Sequence, residues 1–211
     1  MEYLIIAPVA SVIFGITILV SLMAFSNQSL YDKLMLHPYE VARGQKIHTL
    51  ITSGFIHKDL MHLMFNMFSY YFFAFTLEQT IGHWQFGMLY FVSLILSDMP
   101  TVLKNKENNG YYSLGASGAI SAVIFGFILY YPLIPMGILF LPPQLGIPAF
   151  IFGILYLVYC SYASRHSRDN INHDAHLYGA LSGLLIAILL NPSVVSSFFH
   201  QITEKVQSLL H

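Results

Sequence analysis

The chain reads Tyr-Ser-Leu-Gly-Ala-Ser-Gly-Ala from residue 112 to residue 119 and continues in apolar residues to residue 131. This stretch predicts a hydrophobic helix that begins beside Ser117, which lies between Gly115 and Gly118. A helix start leaves backbone N–H groups unpaired and carries the positive end of the helix dipole. Negative charge that develops beside Ser117 would therefore meet donors already in place. The same residues also fit a stripe of small residues through which membrane helices pack.

The composition is that of a polytopic membrane protein. Of the 211 residues, 56% are hydrophobic and 9% are charged, whereas soluble domains carry roughly 25% charged residues. The net charge of -1 argues against a nucleic-acid partner. The single cysteine, Cys160, excludes an internal disulfide and a Cys-rich metal site. No positively charged segment precedes the first apolar run, so this run is expected to remain as a membrane span.

Six segments are predicted to cross the membrane, because each approaches the length of about 20 mostly apolar residues that a span needs. They cover residues 4–25, 50–77, 85–103, 114–131, 146–163 and 175–190. We therefore predict an all-α polytopic membrane protein whose six-helix bundle fills residues 1–192. Residues 193–211 form an amphipathic tail, which is expected to lie on the membrane surface or to contact the spans.

Polar side chains cluster at the starts of the second, fourth and sixth predicted spans. Such groups are costly at membrane depth, so a functional role is the first hypothesis for them. They are His57, His62 and Asn66 in the second span, Ser117 and Ser121 in the fourth, and His173, Asp174 and His176 in the sixth. Alternate spans start on the same side of the membrane, so these three sets are expected to converge at one depth.

Two stripes of small residues predict close packing between the fourth and sixth spans. One stripe is Gly118, Ala122 and Gly126, and the other runs through His176, Gly179, Gly183 and Ala187. Packing through these stripes would bring Ser117 within hydrogen-bond reach of His176. A serine hydroxyl needs such a base, because it is a weak nucleophile until its proton is removed.

The remaining polar residues refine this hypothesis. Asp174 lies on a different helix face from His176, so we predict a Ser–His dyad rather than a triad. His62 and Asn66 are spaced i, i+4 and share one helix face, where they would join the Ser117 N–H in binding an oxyanion. The other polar residues are expected to be structural or solvated: His57 at the helix start, His173 and Asp174 in the loop, and Glu78 as a cap or ion-pair partner.

Taken together, these residues resemble the motifs of the rhomboid intramembrane serine proteases. The Gly-x-Ser-Gly motif falls on residues 115–118, and Ala-His-x-x-Gly-x-x-x-Gly falls on residues 175–183. His-x4-His-x3-Asn falls on residues 57–66, and Glu-x3-Gly on residues 78–82. The similarity covers residues 36–190. It implies a six-span rhomboid-like bundle that cleaves membrane-protein substrates within the bilayer, with Ser117 as nucleophile, His176 as base and no metal or cofactor.

The chain departs from the family pattern at two places. Many members carry Trp-Arg in the first loop, where this chain has His48-Thr49. Ser121 occupies a position where some members have an aromatic residue that packs on the catalytic histidine.

The distribution of basic residues and the resemblance imply opposite orientations. Eight of the nine Lys and Arg residues lie in the first, third and fifth loops or in the segment leading into the second span. The positive-inside rule would place these loops in the cytoplasm. The resemblance implies an active site that opens to the outer face of a bacterial inner membrane. We expect the family orientation, because several of the charges can pair with nearby acids.

Two other functions fit some of the residues. A metal-dependent membrane hydrolase or oxidase would bind Zn or Fe through imidazoles and carboxylates, here His57, Asp59, His62, His173, Asp174 and His176. The spacing disfavours it, because His57 and His62 are i, i+5 and diverge on a helix, and it leaves Ser117 without a role. A non-catalytic rhomboid-like protein that binds membrane helices is the other alternative.

Overall fold

The computed structural model describes residues 2–137, 146–167, 169 and 171–210, and these residues are almost entirely helical. Within them lie eleven α-helices: α1 (Glu2–Ile6), α2 (Pro8–Phe25), α3 (Gln28–Leu34), α4 (Pro38–Val41), α5 (Thr49–Thr52), α6 (Leu60–Ile81), α7 (His83–Asn105), α8 (Ser117–Tyr130), α9 (Ala149–His166), α10 (His173–Leu190) and α11 (Ser193–Leu210). A 3-10 turn, Ser53–Phe55, follows α5. Strands β1 (Pro135–Met136) and β2 (Ile147–Pro148) pair antiparallel.

Each of the six predicted spans contains a helix, and most bounds differ from the prediction by a few residues, but two spans differ more. The first span is divided into α1 and α2, and α2 begins with Pro8 at a favourable first helical position. The second prediction is wrong at its start, because α6 begins at Leu60 and not at residue 50. Asp59 caps α6 by accepting a hydrogen bond from the His62 backbone N–H, which marks the helix boundary.

Four helices of the described residues, α2, α6, α7 and α10, are long and apolar enough to cross a membrane. The prediction of an all-α polytopic membrane protein is therefore confirmed. By helix length and apolar composition, however, four spans are found in the described residues, where six were predicted. Helix α8 has 14 residues, which at about 1.5 Å per residue is shorter than a bilayer core of about 30 Å.

Helix α8 lies at the centre of the bundle. Eleven of its 14 residues are buried, and α6, α7, α9, α10 and α11 pack around it. A helix that is apolar on every side is expected to be buried on every side. The short central helix is thus enclosed by longer neighbours, and its first residue, Ser117, lies at one end of the enclosure.

Small residues form a seam in which the backbones of α8 and α10 touch. A Cβ added at Gly179 would overlap the carbonyl oxygen of Gly118, and one added at Gly183 would overlap that of Ala122. The predicted packing between these stripes is therefore present. Gly126 differs from the prediction, because a Cβ there would meet Leu77 of α6 and Leu89 of α7 at 3.2 Å. Its place on the helix turns it away from α10.

Glu78 is fully buried and joins α6 to the start of α2. Its carboxylate accepts hydrogen bonds from the backbone N–H groups of Val9 and Ala10 and pairs with His83 at 2.7 Å. The N–H groups at a helix start have no partner within the helix, so a carboxylate there satisfies them and the helix dipole together. The predicted capping and pairing role of Glu78 agrees with these contacts.

The tail forms one helix, α11, whose two halves differ in environment. Near its start Val194 is buried, Val195 and Phe198 pack on the core, and the Gln201 side chain donates to the Tyr130 carbonyl at 3.2 Å. Apolar residues of the second half are exposed: Val206, Leu209 and Leu210. The first half therefore contacts the bundle, and placement of the second half on the membrane surface stays a prediction.

Three of the loop cations pair with acids. Arg43 pairs with Glu107 at 3.0 Å and Lys104 with Asp174 at 3.0 Å, and Lys46 pairs with Glu40. Arg168 lies outside the described residues.

The seam predicts how a single methyl group changes stability. Gly183→Ala forces α8 and α10 apart and is expected to lower the free energy of unfolding by about 1–3 kcal/mol, the usual cost of overpacking. Gly15→Ala in α2 is the matched control, because its added Cβ meets nothing within 4 Å and alanine favours helix by about 0.5–1 kcal/mol. Thermal unfolding in detergent compares the two variants. A Gly183→Ala protein as stable as Gly15→Ala would contradict the direct backbone contact between α8 and α10 at Gly183.

Candidate active site

Ser117 is the first residue of α8 and follows a tight loop built around Gly115. Gly115 has φ +114°, a conformation that residues with a Cβ rarely adopt, and its N–H donates to the Ser53 carbonyl at 2.9 Å. Ala116, at the N-cap of α8, provides no side-chain cap. The half-buried Ser117 hydroxyl therefore lies next to N–H groups that no side chain caps, at the positive end of the α8 dipole.

His176 lies in the first turn of α10, and Asn172 anchors this turn. The Asn172 side chain accepts from the Ala175 N–H at 3.1 Å and donates to Thr101 of α7 at 2.9 Å. It also donates to the Ser113 hydroxyl at 3.2 Å, in the loop that leads to α8. One amide thus ties the start of α10 to α7 and to the Ser117 loop. Sequence reasoning missed Asn172, although Asn before a helix is a recognised capping signal.

The seam brings the backbones that carry Ser117 and His176 together. The Ala175 carbonyl oxygen lies 3.3 Å from the Cβ position of a side chain at 118, and Gly179 lies against the Gly118 backbone. Within the described part of the chain, neither the Ser117 hydroxyl nor the His176 ring makes a hydrogen bond. The helices therefore bring the two residues into one region, while the Ser–His hydrogen bond is not formed in this conformation.

His62 lies against the loop that precedes Ser117. Its ring atoms Cε1 and Nε2 are 2.9 and 3.1 Å from the position of a Cβ at Gly115, so only glycine leaves room for the ring. His62 Nδ1 accepts from the Lys58 N–H at 3.4 Å. In a neutral imidazole the other nitrogen then carries the proton, which makes Nε2 a donor on the side of Gly115.

Asn66 lies one turn after His62 on the same face of α6. Its side-chain amide donates to the His62 backbone carbonyl at 3.0 Å. An amide nitrogen carries two N–H groups, so one donor is engaged in the helix and one remains. Asn66 is buried, and it lies on the same face of α6 as His62, as their i, i+4 spacing predicted.

An aromatic ring from α9 lies parallel to His176. The rings of Tyr156 and His176 have centroids 6.5 Å apart and an interplanar angle of 14°. The Tyr156 hydroxyl forms a hydrogen bond of 2.8 Å with Ser121. Ser121 therefore does not itself pack an aromatic ring on His176. Its hydroxyl binds Tyr156, and Tyr156 of α9 provides the ring beside His176. Sequence reasoning missed Tyr156, because nothing in its spacing relates it to His176.

The surrounding polar residues differ from the predictions in part. His57 is buried and its Nδ1 forms a 2.9 Å hydrogen bond with Ser21 of α2, which agrees with a structural role. The expectation that His173 is solvated is wrong, because it is only 4% exposed. The Asp169 carboxylate accepts a hydrogen bond from Nε2 of His173 at 3.1 Å. Hydrogen bonds from Ser167, the Ile171 backbone and His173 lower the pKa of Asp169 to about 2.

The metal-ligand set considered from the sequence does not assemble as proposed. Among the described residues, the metal-ligating side chains that gather are Cys160, His173 and His176. His57 and His62 do not join this cluster, and Asp174 pairs with Lys104. The expectation that His57 and His62 diverge on one helix is wrong, because His57 precedes α6 and the two ring centroids are 4.9 Å apart. Sequence reasoning gave Cys160 no role, and its position four residues after Tyr156 puts both on one face of α9.

Comparison with known proteins agrees with the predicted fold class. The Rhomboid domain model matches residues 44–193. The chain is 27% identical over 171 residues to "RHOMBOID-like protein 12, mitochondrial" of Arabidopsis thaliana, covering 74% of this chain and 50% of that protein. It is 33% identical over 140 residues to "Putative rhomboid protease YdcA" of Bacillus subtilis (strain 168), covering 66% of this chain and 65% of that protein.

The chain thus spans about half to two thirds of the length of these two relatives. A third relative, "Putative rhomboid protein L523" of Acanthamoeba polyphaga mimivirus, is 29% identical over 148 residues, which cover 69% of this chain and 77% of the viral protein. Because the domain match alone extends over more than two thirds of the 211 residues, this chain is a member of the rhomboid family of membrane proteins.

Proposed function

We propose that this protein is an intramembrane serine endopeptidase that cleaves the transmembrane helices of other membrane proteins. The observation that carries the proposal is the glycine seam between α8 and α10, which holds the Gly118 backbone, next to Ser117, against the turn that carries His176. A relative named as a rhomboid protease supports the same activity. Ser117 is the nucleophile and His176 the base of a dyad.

The reaction begins with a side-chain rotation that brings the Ser117 hydroxyl onto a His176 ring nitrogen, since catalytic hydrogen bonds are often unformed without substrate. His176 takes the hydroxyl proton while the oxygen attacks the peptide carbonyl, and it then gives this proton to the leaving amine. Water hydrolyses the acyl-enzyme with His176 again as base. Among the described residues no carboxylate forms a hydrogen bond with His176, and the two nearest in the chain are engaged elsewhere, Asp169 by His173 and Asp174 by Lys104.

The negative charge of the tetrahedral intermediate is bound by three donors. They are the Ser117 N–H at the start of α8, His62 Nε2 beside Gly115, and the free N–H of Asn66. The N–H groups of a helix start point along a dipole that favours an anion. Preorganised donors of this kind stabilise the transition state without reorganising during the reaction.

The substrate reaches Ser117 from the membrane, between α6 and α9. Helix α9 packs on α8 and α10, whereas α6 packs on α2, α7 and α8, and no extended contact joins α6 to α9 in the described residues. Apolar side chains of α9 face outward, among them Ile154, Leu155 and Val158. A substrate helix that unwinds here exchanges its backbone hydrogen bonds for polar groups of the pocket.

The orientation follows the family, with the site toward the outer face of a bacterial inner membrane. Arg43, Lys46 and Lys104 are each paired with an acid. Pairing reduces the net charge on which the membrane potential acts, about 2.3 kcal/mol per unit charge for each 100 mV. Pairing therefore lowers the free-energy cost of placing these loops on the outer side of the membrane.

The first test uses a fluorophosphonate probe and a single-span substrate in lipid vesicles. Wild-type protein is expected to be labelled and to cleave, and Ser117→Ala is expected to do neither, because the attacking oxygen is gone. His176→Ala is expected to lose cleavage through loss of the base. Ser193→Ala, which removes the first residue of another helix, is the control and should keep full activity. Labelling that persists in Ser117→Ala, or cleavage abolished by EDTA, contradicts the proposal.

The oxyanion donors have a separate test. Asn66→Ala and His62→Ala are each expected to lower kcat by about 10²–10³-fold, the usual effect of losing one oxyanion donor. KM should change little, because the interaction forms in the transition state. Gln79→Ala, whose amide likewise donates to a carbonyl of α6, is the matched control. Equal kcat values for Asn66→Ala and Gln79→Ala would exclude Asn66 from this role.

Tyr156 is proposed to position His176 through its parallel ring. Tyr156→Leu is expected to slow fluorophosphonate labelling of Ser117 by about 2- to 10-fold, because an aromatic pair contributes about 0.5–1.5 kcal/mol. Tyr156→Phe keeps the ring and should recover most of this rate. Tyr162→Leu is the control, since Tyr162 stacks on His166 of the same helix with ring centroids 4.4 Å apart. If Tyr156→Leu is labelled as fast as Tyr162→Leu, the Tyr156 ring does not position His176.

A further inference from the structure

Three side chains that commonly bind transition metals meet where α9 approaches the start of α10. They are Cys160, His173 and His176, and one ligand atom from each lies within 4.8 Å of the other two. Cys160 and His173 are buried, and His176 is partly exposed. The cluster includes the proposed catalytic base, so an ion bound here would act directly on the reaction.

His173 supplies an independent sign of a ligand. Its side chain is 4% exposed, and its Nδ1 has no hydrogen-bond partner among the described residues. A buried polar atom without a partner costs free energy and calls for an explanation. Its other nitrogen, Nε2, is held by the Asp169 carboxylate at 3.1 Å and 3.2 Å. Histidines that bind metals are commonly oriented in this way, with the second nitrogen donating to a carboxylate.

The donor set selects the ion. One thiolate and two imidazoles suit Zn²⁺, with a fourth position left for water or another ligand. Bonds of about 2.3 Å to sulfur and 2.0–2.1 Å to nitrogen place tetrahedral donors roughly 3.3–3.6 Å apart. The ligand atoms lie within 4.8 Å of one another, so the three side chains need to close by up to about 1.2–1.5 Å to bind the ion. Cys160 binds as the thiolate and releases its proton when the metal binds.

We infer that Zn²⁺ binds Cys160, His173 and His176 and thereby inhibits proteolysis, an inference whose inhibitory part rests on the proposed function. A neutral imidazole has one nitrogen lone pair available and one N–H. If zinc takes the nitrogen that faces Ser117, no acceptor is left for the serine proton. If zinc takes the other nitrogen, the one that faces Ser117 carries the ring proton. Either arrangement removes the base.

The binding test uses Co²⁺ in place of zinc, because cobalt reports its ligands by absorbance. Chelator-treated, detergent-solubilised wild-type protein is expected to bind one Co²⁺ with a thiolate-to-metal charge-transfer band and the visible bands of a tetrahedral site. Zn²⁺ should displace it. Cys160→Ser and His173→Gln are expected to weaken binding at least about 10–100-fold and Cys160→Ser to lose the thiolate band. His166→Gln, an exposed histidine of α9, is the matched control and should bind as wild type.

The functional test measures fluorophosphonate labelling and substrate cleavage against Zn²⁺ concentration. Each variant is compared with its own rate in metal-free buffer, and thermal unfolding checks that it is folded. Zn²⁺ is expected to inhibit wild type and His166→Gln at the concentration at which it displaces cobalt. Inhibition of Cys160→Ser should require at least about 10-fold more. Equal zinc sensitivity in Cys160→Ser and wild type, or a cobalt spectrum without a thiolate band, overturns the inference.

The two hypotheses fail in different ways. If Ser117 is not a nucleophile, metal-free wild type is unlabelled while the cobalt spectrum still depends on Cys160, and the inhibitory role is overturned with the protease. If the metal site is wrong, metal-free wild type is labelled at Ser117 and no thiolate band appears.

Discussion

The direct contact between the backbones of α8 and α10 is the constraint on which the rest of the structure depends. A Cβ at Gly179 or Gly183 would occupy the place of a carbonyl oxygen of α8. Between membrane helices the lipid supplies no hydrophobic force, so association comes from close van der Waals contact and polar interactions. Small residues allow this contact. Because the seam passes directly beside residues 117 and 176, it also sets the distance between the proposed nucleophile and its base.

The seam explains how a helix of 14 residues can occupy the centre of a membrane domain. Helix α8 is too short to cross the bilayer core, but longer neighbours enclose it and bury eleven of its 14 residues. Irregular backbone is tolerated at membrane depth only in such surroundings. The loop at Gly115, the N–H donors at the start of α8 and the half-buried Ser117 all lie in this enclosure. The surrounding protein lowers the free-energy cost of polar groups at membrane depth there.

Buried polar contacts then fix the orientation of the elements around this centre. Glu78 joins α6 to the start of α2, and Asn172 joins the start of α10 to α7 and to the loop before α8. Leaving any of these groups unpaired inside the protein would cost several times what a surface hydrogen bond contributes. His176 lies beside two further groups, the Tyr156 ring on one side and the cluster with His173 and Cys160 on the other. The proposed base therefore belongs to a cluster of side chains that also has the composition of a metal site.

The sequence alone determined the class of the protein, the helical segments and the small-residue stripes, because composition and helical periodicity are local properties. It also placed Ser117, His176, His62 and Asn66 in one expected region through their motif spacing. Only the tertiary structure decided which residues support them. Gly126 faces α6 and α7, the start of the second span moves to Leu60 behind the Asp59 cap, and His173 is buried instead of solvated. Tyr156 and Cys160 reach His176 from a helix whose own pattern says nothing about α10, because contacts between distant segments depend on how the helices pack and not on the spacing within either one.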